Sequence, residues 1–207
     1  MEKDFGSGKD GYPPKVKAMY EAVLELFASG RELSTLKVSE ITKAAGIGKG
    51  TAYGYFSSKE EIIVGAIEYE GVRHLYMIME LIESGKSFRD IIFKGMDMME
   101  KSNQRYQGFA FLEKVMKDDT IMGSGLWEVL ERHRGNCGLV RGLTGRLLKM
   151  AAEHGQIQET DSYKVWGAIL SQFVFYGFYL THRKMFLEVG EDEAREMVYG
   201  NILKLLQ

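Results

Sequence analysis

The sequence predicts an all-α protein of about nine helices, in which a three-helix N-terminal headpiece precedes a larger C-terminal helical bundle. Only two prolines occur among the 207 residues, Pro13 and Pro14, so no strong helix breaker follows them. Apolar residues recur at helical spacing along most of the chain, and no alternating pattern of useful strand length is present. We therefore expect helices that end at glycines and polar residues.

The composition is that of a globular protein, because 45% of the residues are hydrophobic and 27% are charged. The formal net charge is −2, and residues 1–60 hold nine Lys or Arg against eight Asp or Glu. Nucleic-acid binders usually have a basic face, so any binding to DNA must depend on where a few cations lie. Cys137 is the only cysteine, which excludes an intrachain disulfide and favours a buried thiol over a redox sensor.

The sequence favours a cytoplasmic location. Residues 1–11 lack the apolar core of a signal peptide. The most apolar segment, residues 165–180, carries Ser171 and Gln172 at its centre and is shorter than the ~20 apolar residues of a membrane span. A buried interface helix is favoured there over a membrane-associated helix.

Three helices are predicted in the headpiece, which we place at residues 12–58. The first begins at the two prolines and ends before Ser29-Gly30, with apolar residues spaced three or four positions apart. Two short helices follow over about residues 38–45 and 49–56, separated by Gly46, which tolerates the positive φ of a tight turn. The small residues Ala44, Ala45 and Ala52 allow these two helices to cross closely.

The remaining residues, 59–207, are assigned to a second and larger helical domain. Ser58 and Glu61 form a capping box that starts a helix reaching about Ile82. Thr160 or Asp161 is expected to cap a later helix. Further helices are predicted over residues 88–99, 106–116, 126–153, 161–185 and 191–206.

The third helix presents an outer face suited to a nucleic-acid surface. This face holds a cation, a hydroxyl, a phenol and two positions without a side chain: Lys49, Gly50, Thr51, Tyr53 and Gly54. Such a face can lie close to a sugar-phosphate backbone, where the Lys, Thr and Tyr side chains donate hydrogen bonds to phosphates. A structural helix within an unrelated bundle is the alternative.

At these residues the sequence resembles the TetR family of bacterial regulators. The matching segments are Ala44-Ala45-Gly46-Ile47, Lys49-Gly50-Thr51, Tyr53-Gly54-Tyr55-Phe56 and Ser58-Lys59-Glu60. The resemblance implies a helix-turn-helix in which Thr51, Tyr53 and Lys59 contact phosphates, while Lys49, Gly50 and Gly54 face the major groove. Lys37, Ser39 and Tyr55 complete the predicted DNA-binding set. Beyond about residue 70 the resemblance is only architectural.

Four departures from the family pattern affect this motif. Lys37 replaces the usual threonine cap of the second helix, and Thr42 replaces a typical alanine, so its hydroxyl needs a backbone acceptor. Gly48 replaces the polar cap of the recognition helix, and Gly54 removes a side chain that often reads bases. Because Gly50 and Gly54 each destabilise a helix by about 1 kcal/mol relative to alanine, we expect the recognition helix to be loose without DNA and to read few base edges.

The resemblance also implies that residues 59–207 form a ligand-binding and dimerisation domain with a pocket between its helices. Many aromatic and methionine side chains favour a small apolar or aromatic effector. The predicted pocket residues are Phe109, Met116, Trp127, Trp166, Phe173 and Tyr176. An anionic effector is the alternative, and its candidate ligands are Arg132, Arg134, Arg141 and Arg146.

The last two helices are predicted to pair with their copies in a homodimer. The apolar run at residues 173–180 is hard to bury in one monomer, and Gly167 and Gly177 would allow helices to approach closely. A central core helix in a monomer is the alternative. Twofold symmetry would match a palindromic DNA operator.

These observations predict a ligand-responsive transcription regulator. The resemblance implies that it is a repressor and that binding of its effector releases it from the operator. An activator of the same family is the alternative. An enzyme is disfavoured, because the sequence has no nucleophile elbow, phosphate-binding glycine loop or cysteine–histidine signature. The four histidines have no metal-ligand spacing, so neither a metal site nor a cofactor is predicted.

Overall fold

The computed structural model describes residues 12–119, 121, 142, 145–152, 158 and 161–207. These residues form helices and the turns that join them, and no strand occurs among them. The predicted all-α fold is therefore confirmed. Six residues named in the sequence analysis lie outside the described residues, as does most of the predicted helix over residues 126–153: Trp127, Arg132, Arg134, Cys137, Arg141 and Thr160.

The helices begin and end close to most of the predicted boundaries. The first four are α1 (Pro14–Ala28), α2 (Val38–Ala44), α3 (Lys49–Tyr55) and α4 (Lys59–Glu83), with a 3-10 turn at Leu33–Thr35 before α2. The others with defined bounds are α5 (Phe88–Tyr106), α6 (Gly108–Met116), α7 (Ser162–Thr181) and α8 (Glu191–Leu205). Residues 145–152 are also helical.

The described residues divide into two compact units, and the boundaries between them fall inside α4 and α5. The first unit contains the residues up to Arg73 together with those from Gln104 to residue 121. The second unit contains His74–Asn103 and the described residues from 142 onward. Each unit has its own buried apolar core.

The core of the first unit packs α1 against the start of α4 through an aromatic cluster. The Tyr20 ring centroid lies 5.7 Å from those of Tyr12 and Phe56 and 5.8 Å from that of Tyr69. Gly65 on α4 leaves the space that Tyr20 occupies, because a Cβ atom at Gly65 would lie 2.6 Å from the Tyr20 ring. Carbon atoms in contact are about 3.5–4.0 Å apart, so a larger residue would push α4 away from α1.

The turn between α2 and α3 has the backbone geometry that the sequence predicts. Gly46 has a φ of 65°, in the left-handed region that glycine adopts at little cost. The Ile47 N–H donates to the Thr42 carbonyl oxygen at 2.8 Å, which closes the turn. Thr42 is buried, and its hydroxyl donates to the Ser39 carbonyl oxygen at 3.2 Å. The backbone acceptor that this threonine needs is therefore present.

The start of α4 is capped as predicted, with one difference. The Glu61 N–H donates to Ser58 Oγ at 3.1 Å. The Glu61 carboxylate accepts from the N–H of Ser57 at 2.7 Å, one residue before the predicted donor Ser58. This reciprocal pair supplies an acceptor for an N–H group at the helix start that would otherwise lack one.

The predicted end of the helix that starts at Phe88 is wrong. Instead of ending at Met99, α5 continues through a run of polar residues to Tyr106. Ser102 in this run is buried, and Glu100 forms an ion pair with Arg195 at 3.2 Å. Polar residues thus lie on the packed side of α5, so hydrophobic periodicity alone could not reveal its extension.

Helix α7 begins as predicted but ends earlier. Asp161 caps it, because Asp161 Oδ1 accepts the N–H groups of Tyr163 at 2.8 Å and Lys164 at 3.2 Å. The helix ends at Thr181 instead of residue 185, and a 3-10 turn occupies Arg183–Met185. None of the described helices, α7 included, is long and apolar enough to cross a membrane.

Candidate nucleic-acid interface and ligand cavity

The outer face of α3 is exposed to solvent. Lys49, Gly50, Tyr53 and Gly54 are all exposed, and 55% of the Tyr53 surface is accessible. The Lys49 ammonium lies 5.8 Å from the centroid of the Tyr53 ring, one helical turn away. A cation at this distance is attracted to the face of an aromatic ring. Lys49 and Tyr53 therefore form one polar surface on α3.

The inner face of α3 is fixed by packing in the first unit. Ala52 is fully buried and Tyr55 packs against the core of the unit. Phe56 directly after α3 is also buried, with its ring 5.7 Å from that of Tyr20. Because these contacts fix the rotation of α3 about its axis, Lys49 and Tyr53 lie on the side away from the core. This orientation is what a groove-facing helix requires.

The other residues of the predicted DNA-binding set lie near α3 but differ in exposure. Lys37 and Ser39 are exposed at the start of α2, and Thr51 is half-buried. Lys59 is more enclosed, because its Nζ donates to the carbonyl oxygens of Leu33 at 3.3 Å and Ser34 at 3.0 Å. Lys59 thus joins the 3-10 turn to the start of α4, a structural contact that the sequence did not indicate.

A cavity of about 180 Å³, partly open to solvent, lies in the second unit. Two predicted pocket residues, Trp166 and Phe173 of α7, line it. Helices α4 and α5 supply much of the remaining wall, with His74 and Ile78 on α4 and Gly95 on α5 among the lining residues. No Asp, Glu, Lys or Arg side chain occurs among the described residues that line this cavity. The cavity therefore suits an apolar guest.

The other predicted pocket residues lie elsewhere or cannot be placed. Met116 is 62% exposed at the end of α6, and Phe109 is half-buried on the same helix; both belong to the first unit. Tyr176 is fully buried but does not line the cavity. Trp127 lies outside the described residues.

Sequence reasoning missed the contribution of α4 and α5 to the cavity wall. It selected aromatic and methionine residues by type, and these residues fill cores as readily as they line pockets. A usable signal was the helical spacing of the lining residues on α5, which are Ile91, Ile92, Gly95, Met98 and Met99. Nothing in the sequence shows which helix packs against this row of residues on α5.

Tyr176 belongs to a polar cluster that joins α5, α7 and α8 in the second unit. Its hydroxyl donates to Glu100, which also accepts from Arg195 Nη1 at 3.2 Å. Arg195 Nη2 donates to Asp97 at 2.5 Å and to the Phe93 carbonyl oxygen at 3.3 Å. Burial and the hydrogen bond to Glu100 raise the pKa of Tyr176 far above its usual range. Burial lowers the pKa of Arg195, but the hydrogen bond to Asp97 and the charge of Glu100 outweigh it and raise the pKa.

The described residues offer no metal centre, because no group of three His, Cys, Asp or Glu side chains among them is placed to hold an ion. In the polar cluster of the second unit, the charges of the Asp97 and Glu100 carboxylates are instead balanced by ion pairs with Arg195. The two features that stand out for recognition are thus the outer face of α3 and the apolar cavity.

Comparisons with known proteins agree with this structure. Residues 21–66 match the model of a family described as bacterial regulatory proteins, tetR family. No curated protein matches the chain. The fatty acid degradation regulator FadR from Bacillus halodurans is a similar solved structure, with 22% identity, 94% of this chain and 95% of that chain covered, and a TM-score of 0.61.

Two further solved structures have the same fold. The regulator FadR from Bacillus subtilis, in complex with stearoyl-CoA, has 17% identity and a TM-score of 0.60, with 92% of this chain and 97% of that chain covered. A TetR-family transcriptional regulator from Syntrophomonas wolfei has 16% identity and a TM-score of 0.66, with 93% of this chain and 94% of that chain covered.

The exposed third helix, held by α1 and α2 and followed by an all-α body, defines a helix-turn-helix DNA-binding protein. The matched residues 21–66 contain α2, the Gly46 turn and all of α3. Residues 21–66 thus match the DNA-binding part of the tetR family of bacterial regulatory proteins, and the chain has the fold of the solved TetR-family regulator from Syntrophomonas wolfei.

Gly50 and Gly54 leave the exposed face of α3 without side chains at two positions. A Cβ atom at either position meets no heavy atom within 4 Å, so alanine fits without strain. We expect Gly50→Ala and Gly54→Ala each to raise the free energy of unfolding by about 1 kcal/mol. Each should also weaken DNA binding, because the added methyl group keeps α3 further from the groove. Thermal denaturation and gel-shift titration measure the two effects.

Gly71→Ala on α4 is the matched control for these two variants. Gly71 is also exposed within a helix, and a Cβ atom there also meets no heavy atom within 4 Å. It should give a similar gain in stability and leave DNA affinity unchanged. Wild-type DNA affinity in both α3 variants would contradict a close approach of this face to DNA.

Proposed function

We propose that the protein is a ligand-responsive repressor that binds a palindromic DNA operator as a homodimer in the cytoplasm. A small apolar or aromatic effector would release it from the operator. The observation that carries the proposal is the outward orientation of Lys49 and Tyr53 on α3, which is fixed by the buried Ala52. The alternative is that the protein activates transcription. We expect no enzymatic activity.

The proposed DNA contacts follow from the position of each side chain. Lys49, Gly50 and Gly54 would face the major groove, while Thr51, Tyr53 and Lys59 contact phosphates. Lys59 can do so while it holds the 3-10 turn, because an ammonium has three N–H donors and two carbonyl oxygens accept from it. The remaining proposed contacts come from Lys37, Ser39 and Tyr55. We assign DNA binding to residues 12–58, and ligand binding and dimerisation to 59–207.

Exposed apolar side chains on α7 and α8 support the proposed homodimer. Leu170 and Val174 lie one turn apart on α7 and are 45% and 49% exposed, although Leu170 also lines the rim of the cavity. Met197 and Leu205 on α8 are exposed as well. Helices α7 and α8 pack against each other within one chain. A second copy presenting the same two helices would cover these side chains in a self-complementary interface.

The apolar cavity of the second unit is the proposed effector site. The B. subtilis structure of this fold was solved in complex with stearoyl-CoA, whose acyl chain is apolar, and this supports an apolar group of an effector as the guest of the cavity in this chain. For such a compound to act as a switch, it must bind the DNA-bound and released conformations with different affinities.

The DNA-binding proposal is tested by gel shift with the DNA upstream of the protein's own gene. Lys49→Ala and Tyr53→Ala should each weaken binding by about ten-fold or more, because each removes a charged or hydrogen-bonding contact to DNA. Lys101→Ala removes an equal charge from an exposed position on α5 and should leave binding unchanged.

Wild-type binding should also fall steeply as the salt concentration rises, because cations that bind phosphates displace counterions from DNA. Lys49→Ala should reduce the slope of the logarithm of the binding constant against the logarithm of the salt concentration by about one. Tight binding that neither α3 variant affects would show that this helix is not the DNA-reading surface.

A further inference from the structure

The cavity of the second unit restricts the kind of guest it can hold. Its described lining is apolar apart from the imidazole of His74 and the indole N–H of Trp166. A charged group placed against these described residues would lose part of its hydration and gain no opposite charge from them, which is unfavourable. We therefore expect the part of a ligand that lies against these residues to be uncharged.

The size of the cavity sets a second limit. Its volume is about 180 Å³, whereas an engineered apolar cavity of about 150 Å³ binds benzene. One six-membered ring with a small substituent therefore fills the available space. A guest with two rings requires the wall to move.

One wall is formed by an unusually close contact between α5 and α7. A Cβ atom built on Gly95 would lie 2.7 Å from Phe173 Cζ and 2.8 Å from Phe173 Cε1. The phenyl ring thus lies directly on the α5 backbone, in space that any other residue at position 95 would fill. Ile78 Cδ1 lies 3.8 Å from the same point, so the ring is also bounded by α4.

We propose that Phe173, seated on Gly95, limits the cavity to uncharged apolar guests of about one ring. Phe173 acts as the specificity-determining residue, and Gly95 positions it. Removing the ring joins its volume to the cavity and makes room for a second ring of the guest. This inference rests on the proposed effector role of the cavity, and the experiment below separates the two.

The test uses isothermal titration calorimetry of the full-length protein with toluene and with biphenyl. Wild type should bind toluene and bind biphenyl at least ten-fold more weakly. Phe173→Ala should bind biphenyl about ten-fold or more tightly than wild type does, because a second ring becomes buried. Phe173→Leu removes only part of the ring, disturbs the fold less and should change biphenyl affinity in the same direction.

Phe175→Ala is the matched control. Phe175 is a half-buried phenylalanine on α7 that packs 6.0 Å from the Phe186 ring and does not line the cavity. It should leave both affinities at the wild-type values. Equal wild-type affinity for both compounds, no binding of toluene, or no gain of biphenyl affinity in either Phe173 variant would overturn the inference.

A gel shift with the same compounds separates this inference from the proposed function. If toluene binds with the predicted size limit but does not release the DNA, the size limit stands and the effector role of the cavity fails. If toluene does not bind but Lys49-dependent DNA binding persists, the inference fails and the DNA-binding proposal stands.

Discussion

Replacing Arg195 with alanine should lower the free energy of unfolding by about 3 kcal/mol, the lower end of the range for breaking a buried ion pair. The Arg195 and Glu100 side chains are only 17% and 14% exposed. Without the guanidinium, Glu100 loses its ion pair with Arg195, and Asp97 keeps only the longer pair with Lys94 at 3.8 Å. Glu100 keeps its hydrogen bond from Tyr176, which limits the loss.

Urea denaturation at a fixed protein concentration measures this effect, because the proposed dimer would make apparent stability concentration-dependent. Arg146→Ala is the control, since Arg146 pairs with Glu83 at 2.9 Å and both side chains are more than half exposed. Exposed pairs contribute about 0–1 kcal/mol. An equal loss of stability in both variants would contradict a special role for the cluster around Arg195.

The helix-turn-helix was predictable from sequence because local rules determine it. Gly46 is required where the backbone takes a positive φ, and Ser58 caps the next helix through a bond to Glu61 three positions away. The side of α3 that faces the core follows from the buried Ala52, since residues three and four apart share a helix face. Each signal acts within a few residues, so one sequence suffices to find it.

The body of the protein was less predictable because its determinants are far apart in sequence. The Glu100–Arg195 bond joins residues 95 positions apart and lies in the part of α5 that continues past Met99. The cavity wall depends on Phe173 lying against Gly95. Hydrophobic spacing indicates which residues face inward, but it does not indicate which distant helix they meet.

Replacing Val174 with aspartate should convert the protein to a monomer and weaken operator binding by about 100-fold or more. Val174 is 49% exposed on α7 and does not line the cavity, so the change affects the proposed interface and not the effector site. Two copies of the new carboxylate would be buried in an apolar contact, which is strongly unfavourable. DNA affinity falls because one headpiece no longer raises the effective concentration of the other at the second half-site.

Sedimentation velocity gives the oligomeric state, and gel shift gives the operator affinity. Leu187→Asp is the matched control, because Leu187 is 85% exposed in the segment between α7 and α8 and lies on neither helix. It should leave the dimer and its DNA affinity intact. A Val174→Asp protein that stays dimeric would place the interface on another surface. A monomeric Val174→Asp protein with wild-type affinity would mean that each headpiece binds DNA independently of its partner.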